Sequence, residues 1–187
     1  MKIITGSARG CALTTLDGEE TRPTLQRIKE TVFSSIQFEI EGRSVLDLFA
    51  GSGQMGLEAL SRGAENAVLC DMSKQACDII RQNAQKTKLY QKCKIMNLDY
   101  KEYIRAASNS GRKYGIIFLD PPYASDILPD ALERLYKSDM VQDDAIVLCE
   151  TESESFLSDN PKILEMYDEV KTYKCGRVYY YRLKKKE

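Results

Sequence analysis

Asp120, Pro121, Pro122 and Tyr123 close an apolar run, Gly115-Ile-Ile-Phe-Leu119, and their types fit one kind of chemistry. The Asp120 carboxylate and the Pro121 carbonyl are two acceptors side by side. Together they can take both N–H protons of an amine on a planar ring and return to its nitrogen a lone pair otherwise delocalised into that ring. Tyr123 can then stack on the ring and hold it for in-line attack. The two prolines forbid continuation of a strand ladder and fix the backbone just beyond the strand. A plain turn would use Asp-Pro-Pro equally well, but it has no need of the aromatic that follows.

A second group centres on Asp47, in Ser44-Val-Leu-Asp47-Leu-Phe49-Ala-Gly51-Ser52-Gly53-Gln-Met-Gly56. Apolar β-prone residues, then glycines, then the helical composition of Gly56-Leu-Glu-Ala-Leu-Ser-Arg62 read as strand, tight turn and helix. Such a turn lets backbone approach a ligand closely and aims free helix N–H groups at it. Gly51, Gly53 and Gly56 satisfy the G-x-G-x-x-G spacing of dinucleotide sites, a weak signal alone. Asp47 redirects it: a carboxylate there repels a pyrophosphate and suits a cationic ligand group. Asp71 follows Gly53 by 18 residues, near the spacing at which an acid ending the second strand holds ribose hydroxyls. Asp99 is placed to accept from an adenine amino group, with Leu98 or Tyr100 flanking the ring.

These residues need a frame, and the pattern supplies one. Ala67–Asp71, Cys93–Asp99, Gly115–Leu119 and Ala145–Cys149 read as further strands, and a helix is expected over 74 to 88. Alternation of this kind predicts an α/β fold with a mostly parallel sheet and helices on both faces, whose ligands sit outside the carboxyl ends of the strands. From Pro23, residues Leu25, Ile28, Val32, Phe33 and Ile36 recur at helical spacing, with proline in the first turn where its missing N–H costs nothing. Residues 1–20, with Ile3-Ile4 and Gly6, Gly10 and Gly18, are expected to form a hairpin or arm ahead of a 21–187 core.

The chain of 187 residues, 43% hydrophobic, suits a single domain over 1–187. It has no histidine, which removes His-assisted nucleophiles and the commonest transition-metal ligand. Its six cysteines contain no C-x-x-C pair, so reduced core thiols are expected and no metal. No apolar run reaches the roughly 20 residues of a membrane span, and the start lacks a signal-peptide pattern, so a cytoplasmic protein is expected. Net charge is −1. Cations nevertheless cluster at Lys2, Arg9, Arg22, Arg27 and Lys29 and again over 171–186, and would form one basic face if both ends packed on the same side of the sheet.

Asp47-Leu-Phe-Ala-Gly-Ser-Gly53 resembles the first motif of the class I methyltransferases, whose cofactor, S-adenosylmethionine, carries an ammonium and a sulfonium and no phosphate. With Asp120-Pro-Pro-Tyr123 the chain is similar to amino-methyltransferases acting on bases. Arg22-Pro-Thr-Leu-Gln-Arg-Ile-Lys-Glu-Thr-Val-Phe33, Gly56-Leu-Glu-Ala-Leu-Ser-Arg-Gly-Ala64 and Gly176-Arg-Val-Tyr-Tyr-Tyr181 resemble the RsmD family over nearly the whole chain. The resemblance implies methylation of N2 of a guanine in 16S ribosomal RNA, free or in the assembling small subunit, by a monomer. It also implies a seven-stranded sheet ending in an antiparallel hairpin over 163 to 183. On it, Asp47, Phe49, Gly51, Ser52, Gly53, Asp71, Met72, Asp99 and Tyr100 hold the cofactor, and Arg9, Arg22, Thr24, Arg27 and Arg177 meet RNA. An Asp at 71, where a Glu is more usual, and Cys11-Ala12 in place of a basic pair depart from the pattern. Alternatives are an N6-adenine methyltransferase, since Asp-Pro-Pro-Tyr serves there too, and a non-catalytic RNA-binding assembly factor. A nicotinamide-dependent dehydrogenase shares the fold but not the Asp47 position.

Overall fold

The computed structural model describes residues 1–16, 23–122 and 126–186, without the side chains of 23–28. Seven strands, β1 (Ser44–Asp47), β2 (Asn66–Asp71), β3 (Cys93–Asn97), β4 (Tyr114–Leu119), β5 (Val141–Thr151), β6 (Tyr167–Cys175) and β7 (Val178–Lys185), form one sheet in the order β3-β2-β1-β4-β5-β7-β6. The first five run parallel, and β7 lies antiparallel to both β5 and β6. The helices are α1 (Pro23–Ser35), α2 (Gln54–Ser61), α3 (Lys74–Lys86), α4 (Tyr100–Ser108), α5 (Ile127–Lys137), α6 (Phe156–Asp159) and α7 (Pro161–Met166).

All six residues of β4 are buried, as a central parallel strand covered on both faces requires. Alternate strand residues feed two cores. One joins Leu46, Val68, Ile117 and Val147 to α4 and α5, and the other joins Val45, Leu69, Ile116 and Leu148 to α1, α2 and α3. Val32 and Phe33 on α1, and Ile36 just after it, are fully buried, each contributing about 1.5–3 kcal/mol by leaving water.

Several boundaries differ from the sequence reading. Strand β3 stops at Asn97, because the Asp99 side chain accepts the Lys101 N–H at 2.8 Å and caps α4 in a capping box with Glu102. Strand β5 runs from Val141 to Thr151, beyond 145–149 at both ends, since Tyr114 of β4 pairs with Val141 and β7 pairs with residues 147–151. The hairpin begins at Tyr167 and ends at Lys185, and Pro161 starts a short helix over the first part of the expected span. Helix α3 ends at Lys86, with Lys88 at φ 60°.

The N-terminal residues form a small antiparallel loop, with Lys2 bridged to Ala12. It is fastened to α2: Ile4 and Thr5 donate backbone N–H to the Glu58 carboxylate at 2.7 and 3.0 Å, and Ala8 N–H donates to Ser61 Oγ at 2.9 Å. Gly6 passes so near the Ser61 carbonyl that a Cβ would lie 1.8 Å from its oxygen, so the close approach needs glycine.

Candidate active site

The order reverses between β1 and β4, and the carboxyl ends of these neighbours open into one cleft of about 880 Å³. Asp47 ends β1 and is 3% exposed; its Oδ2 accepts the Gly56 N–H at 3.0 Å, so the acid fastens the first turn of α2 beneath the glycine loop. Burial pushes its carboxyl up to about 7, against the opposing effect of that hydrogen bond and with Asp71 adding to the rise. Asp47 still lines the cleft, but as an enclosed group already engaged by backbone. The charge attributed to it from sequence is therefore conditional on a ligand.

The loop itself is held from both sides. Gly53 has φ 79°, and a Cβ there would lie 3.0 Å from Leu69 Cδ2 and 3.2 Å from Ile80, so conformation and space both call for glycine. The Asn83 side-chain amide, fully buried on α3, donates to the Ser52 carbonyl at 2.9 Å. At the end of β2, Asp71 accepts from Gly51 N–H and Ser73 N–H, both at 2.8 Å, and Met72 beside it is exposed. The Asn97 side chain donates to the Asp71 and Met72 carbonyls at 3.1 and 2.9 Å, fixing the β2–α3 turn.

Phe49 and Tyr100 face each other across the floor, ring centroids 5.4 Å apart, and the Tyr100 hydroxyl donates to Asp130 at 2.7 Å. Burial, that hydrogen bond and the nearby Asp130 charge raise the phenol well above its ordinary value, so it stays protonated. Leu98 and Asp99 line the same wall. On the other side stand Asp120, exposed at the end of β4, with Pro121 buried and Pro122 exposed after it; all three line the cleft. Phe49, Gly51, Ser52, Asp71, Met72, Asp99 and Tyr100 therefore line one cleft with Asp47 and Asp120. Gly53 lies behind the wall, in the turn that shapes it.

Of the expected RNA residues, Arg177 lines the cleft from the exposed β6–β7 turn, whereas Arg9 is exposed on the N-terminal loop and is not part of the lining. Arg22 and Tyr123 lie outside the described residues, as do the side chains of Thr24 and Arg27. Helix α1 does pack against β6, the arrangement a joint basic face needs. The cations there are largely paired instead: Arg182 with Glu39 at 2.8 Å, Lys174 with Glu154 at 3.4 Å, Lys185 with Asp139 and Asp143 at 3.5 Å, and Lys186 with Asp168 at 3.3 Å. Among the described residues no cluster of acids and cysteines is arranged to hold a metal, and no helix is long and apolar enough to cross a membrane.

Two lining acids were not singled out from the sequence, and Lys29 entered there only among the clustered cations. Glu150 and Glu152 extend the cleft from the end of β5, and the Tyr180 hydroxyl donates to the buried Glu150 carboxylate. Lys29 is 3% exposed on α1 and lines the cleft, and its Nζ has no hydrogen-bond partner among the described residues. Burial brings its ammonium down to about 7, with the Glu58 charge opposing and Arg62 reinforcing the shift. A signal existed: Lys29 stands four residues after Leu25 and four before Phe33, on the apolar stripe of its helix.

The family model described as Conserved hypothetical protein 95 matches residues 1–182. The chain belongs to this family, the RsmD family. Within it, ribosomal RNA small subunit methyltransferase D of Escherichia coli strain K12 is 32% identical over 161 residues, covering 86% of this chain and 79% of that one. The solved structure of Escherichia coli yhhF, assigned to the methyltransferases, superposes with a TM-score of 0.87 at 30% identity over 100% of this chain and 98% of that one. At 14% identity, the fold alone is shared with SMU.776, a structure complexed with SAH (TM-score 0.69; 83% of this chain, 49% of that one). The RsmD-family chain thus has the class I methyltransferase fold.

Proposed function

We propose that this chain transfers a methyl group from S-adenosylmethionine to the exocyclic N2 amine of a guanine in 16S ribosomal RNA, acting as a cytoplasmic monomer on free RNA or on the assembling small subunit. The observation that carries the reading is the Asp120-Pro121-Pro122 stop at the end of β4, opening beside the Asp47 turn into one acid-lined cleft. The E. coli relative's name as a small-subunit rRNA methyltransferase supports the substrate class.

The lining fits the cofactor. Six acids, Asp47, Asp71, Asp99, Asp120, Glu150 and Glu152, suit a ligand whose ammonium and sulfonium are cationic, and the buried unpartnered Lys29 Nζ suits its one anion. Bound S-adenosylmethionine supplies an electrophilic methyl. Asp71 holds the ribose hydroxyls through carboxylate lone pairs left over from its two backbone bonds, and Asp99 takes the adenine amine. Phe49, Leu98 and Tyr100 form the apolar wall beside that ring, and Gly51, Ser52 and Met72 border the ligand. Asp120 and the Pro121 carbonyl accept the two N–H protons of the target amine, raising its nucleophilicity; Asp120 then accepts the proton that the methylated amine sheds. Pro122 stiffens this corner, and Tyr123 stacks on the base. Arg9, Arg22, Thr24, Arg27 and Arg177 hold RNA phosphates.

Transfer of labelled methyl from S-adenosylmethionine to 16S RNA, free and within a partly assembled small subunit, followed by nucleoside analysis, tests this. N2-methylguanosine is expected. N6-methyladenosine would overturn the base assignment, and cofactor binding with no transfer to either substrate would overturn the catalytic one.

A further inference from the structure

Every described acid lining the cleft suits the cationic, hydroxyl or amine groups of the cofactor, and none suits its carboxylate. The described cationic side chains lining the cleft are Arg177 and Lys29. Arg177 is exposed on the hairpin turn, where water competes for it; Lys29 is enclosed. An ammonium taken out of water without an acceptor is costly, so a protein keeps one there only if something else completes it. Glu58, whose charge acts on Lys29, is committed: its two oxygens accept Ile4 and Thr5 N–H, and Arg62 Nε lies 2.7 Å from it. Position 29 also belongs to the apolar stripe of α1, where an aliphatic residue would serve packing better.

We propose that Lys29 is the anchor for the carboxylate at the amino-acid end of the cofactor, a role that rests on the S-adenosylmethionine reading above. A carboxylate entering beside Lys29 Nζ supplies the missing acceptor and, excluded from water there, receives a charge-assisted hydrogen bond. The lowered proton affinity of the amine fits: burial in the cleft disfavours its charged form, and a carboxylate beside it favours that form again. Lys29 then reads the one group that distinguishes the whole cofactor from its decarboxylated analogue. Helix α1 consequently serves both as core helix and as one wall of the cofactor site.

Calorimetric titration of wild type and Lys29→Met with S-adenosylhomocysteine, its decarboxylated analogue S-adenosyl-3-thiopropylamine, and 5′-methylthioadenosine tests this. Wild type should favour S-adenosylhomocysteine over the decarboxylated analogue. Lys29→Met should lose roughly ten- to a hundredfold in affinity for S-adenosylhomocysteine while binding the other two as wild type does, which also shows that the variant is folded. A variant that keeps the wild-type preference for the carboxylated ligand overturns the proposal, as does one that loses all three ligands equally. Should Lys29→Met fail to fold, Lys29→Gln, uncharged but polar, is held to the same comparison. Wild type binding none of the three would overturn the cofactor reading itself, a result distinct from loss of discrimination.

Discussion

Two aspartates end adjacent parallel strands and face one cleft, yet they have opposite surroundings. Asp47 is followed by a glycine turn and a helix, and the first turn of that helix folds back over it, so the acid is buried and bonded to Gly56 N–H. Asp120 is followed by two prolines, which carry the chain away and leave the carboxylate exposed. The segment after the strand, more than the acid itself, decides whether that acid becomes a fastening or a reagent. Asp99 is intermediate: half-buried, it caps α4 and still lines the cleft.

The contrast breaks first, and furthest, at Asp120. On the proposed mechanism, Asp120→Ala should lower the methyl-transfer rate by about 100- to 1000-fold. Cofactor affinity by calorimetry and the melting temperature should stay near wild type; a comparable loss of cofactor affinity would instead make Asp120 a fastening like Asp47.

Asp47 should show itself through pH. Its folded-state value, about 7, lies above the ordinary carboxyl value of 3.8, so the native state holds the proton more tightly than the unfolded chain. Its contribution to stability is fully present below about 4 and is lost as pH rises through 7, with a slope of at most about 1.4 kcal/mol per pH unit. Asp47→Asn keeps an acceptor for Gly56 N–H but cannot ionise. Denaturant melts of that variant from pH 4.5 to 7 should lack the decline seen in wild type; an unchanged decline would mean that another group carries it. Lys29 acts in the adjoining window with the opposite sign: its lowered value gives stability that is present above 10.5 and is lost as pH falls through 7.

Gly53→Ala tests the turn that encloses Asp47. A left-handed backbone and a Cβ 3.0 Å from Leu69 should together cost about 1–3 kcal/mol in denaturant melts. The smallest effect belongs to Asp99. Asp99→Ala should cost about 1 kcal/mol through the lost cap, and Asp99→Ser should recover most of it. If Asp99 also holds the adenine, Asp99→Ser will regain stability without regaining cofactor affinity, separating its two duties.

Much of the site was legible because its parts are short and local. A strand that stops at Asp-Pro-Pro and a strand that meets Gly-x-Gly each carry their geometry within ten residues, and the parallel alternation places both at one end of a sheet. The departures are equally physical. Strand β5 outran its apolar core because β7 offered its last residues a partner, and β3 ended early because Asp99 favoured a cap over a ladder. Part of the terminal segment's positive charge is offset for the same reason: charge counts along the chain do not reveal that Glu39, Asp139 and Asp168 stand opposite Arg182, Lys185 and Lys186.

The amino-acid order by itself determined the parallel core, the glycine turn and the proline stop, since each rests on hydrophobic periodicity or on backbone restrictions between near neighbours. Only the tertiary structure decided that Asp47 is enclosed and engaged by its own helix, that Glu150 is bonded by Tyr180, and that Lys29 enters the cleft without a partner among the described residues. Those outcomes depend on burial and on meetings between segments far apart in sequence. Desolvation, which sets the charge of both Asp47 and Lys29, exists only once those segments have packed.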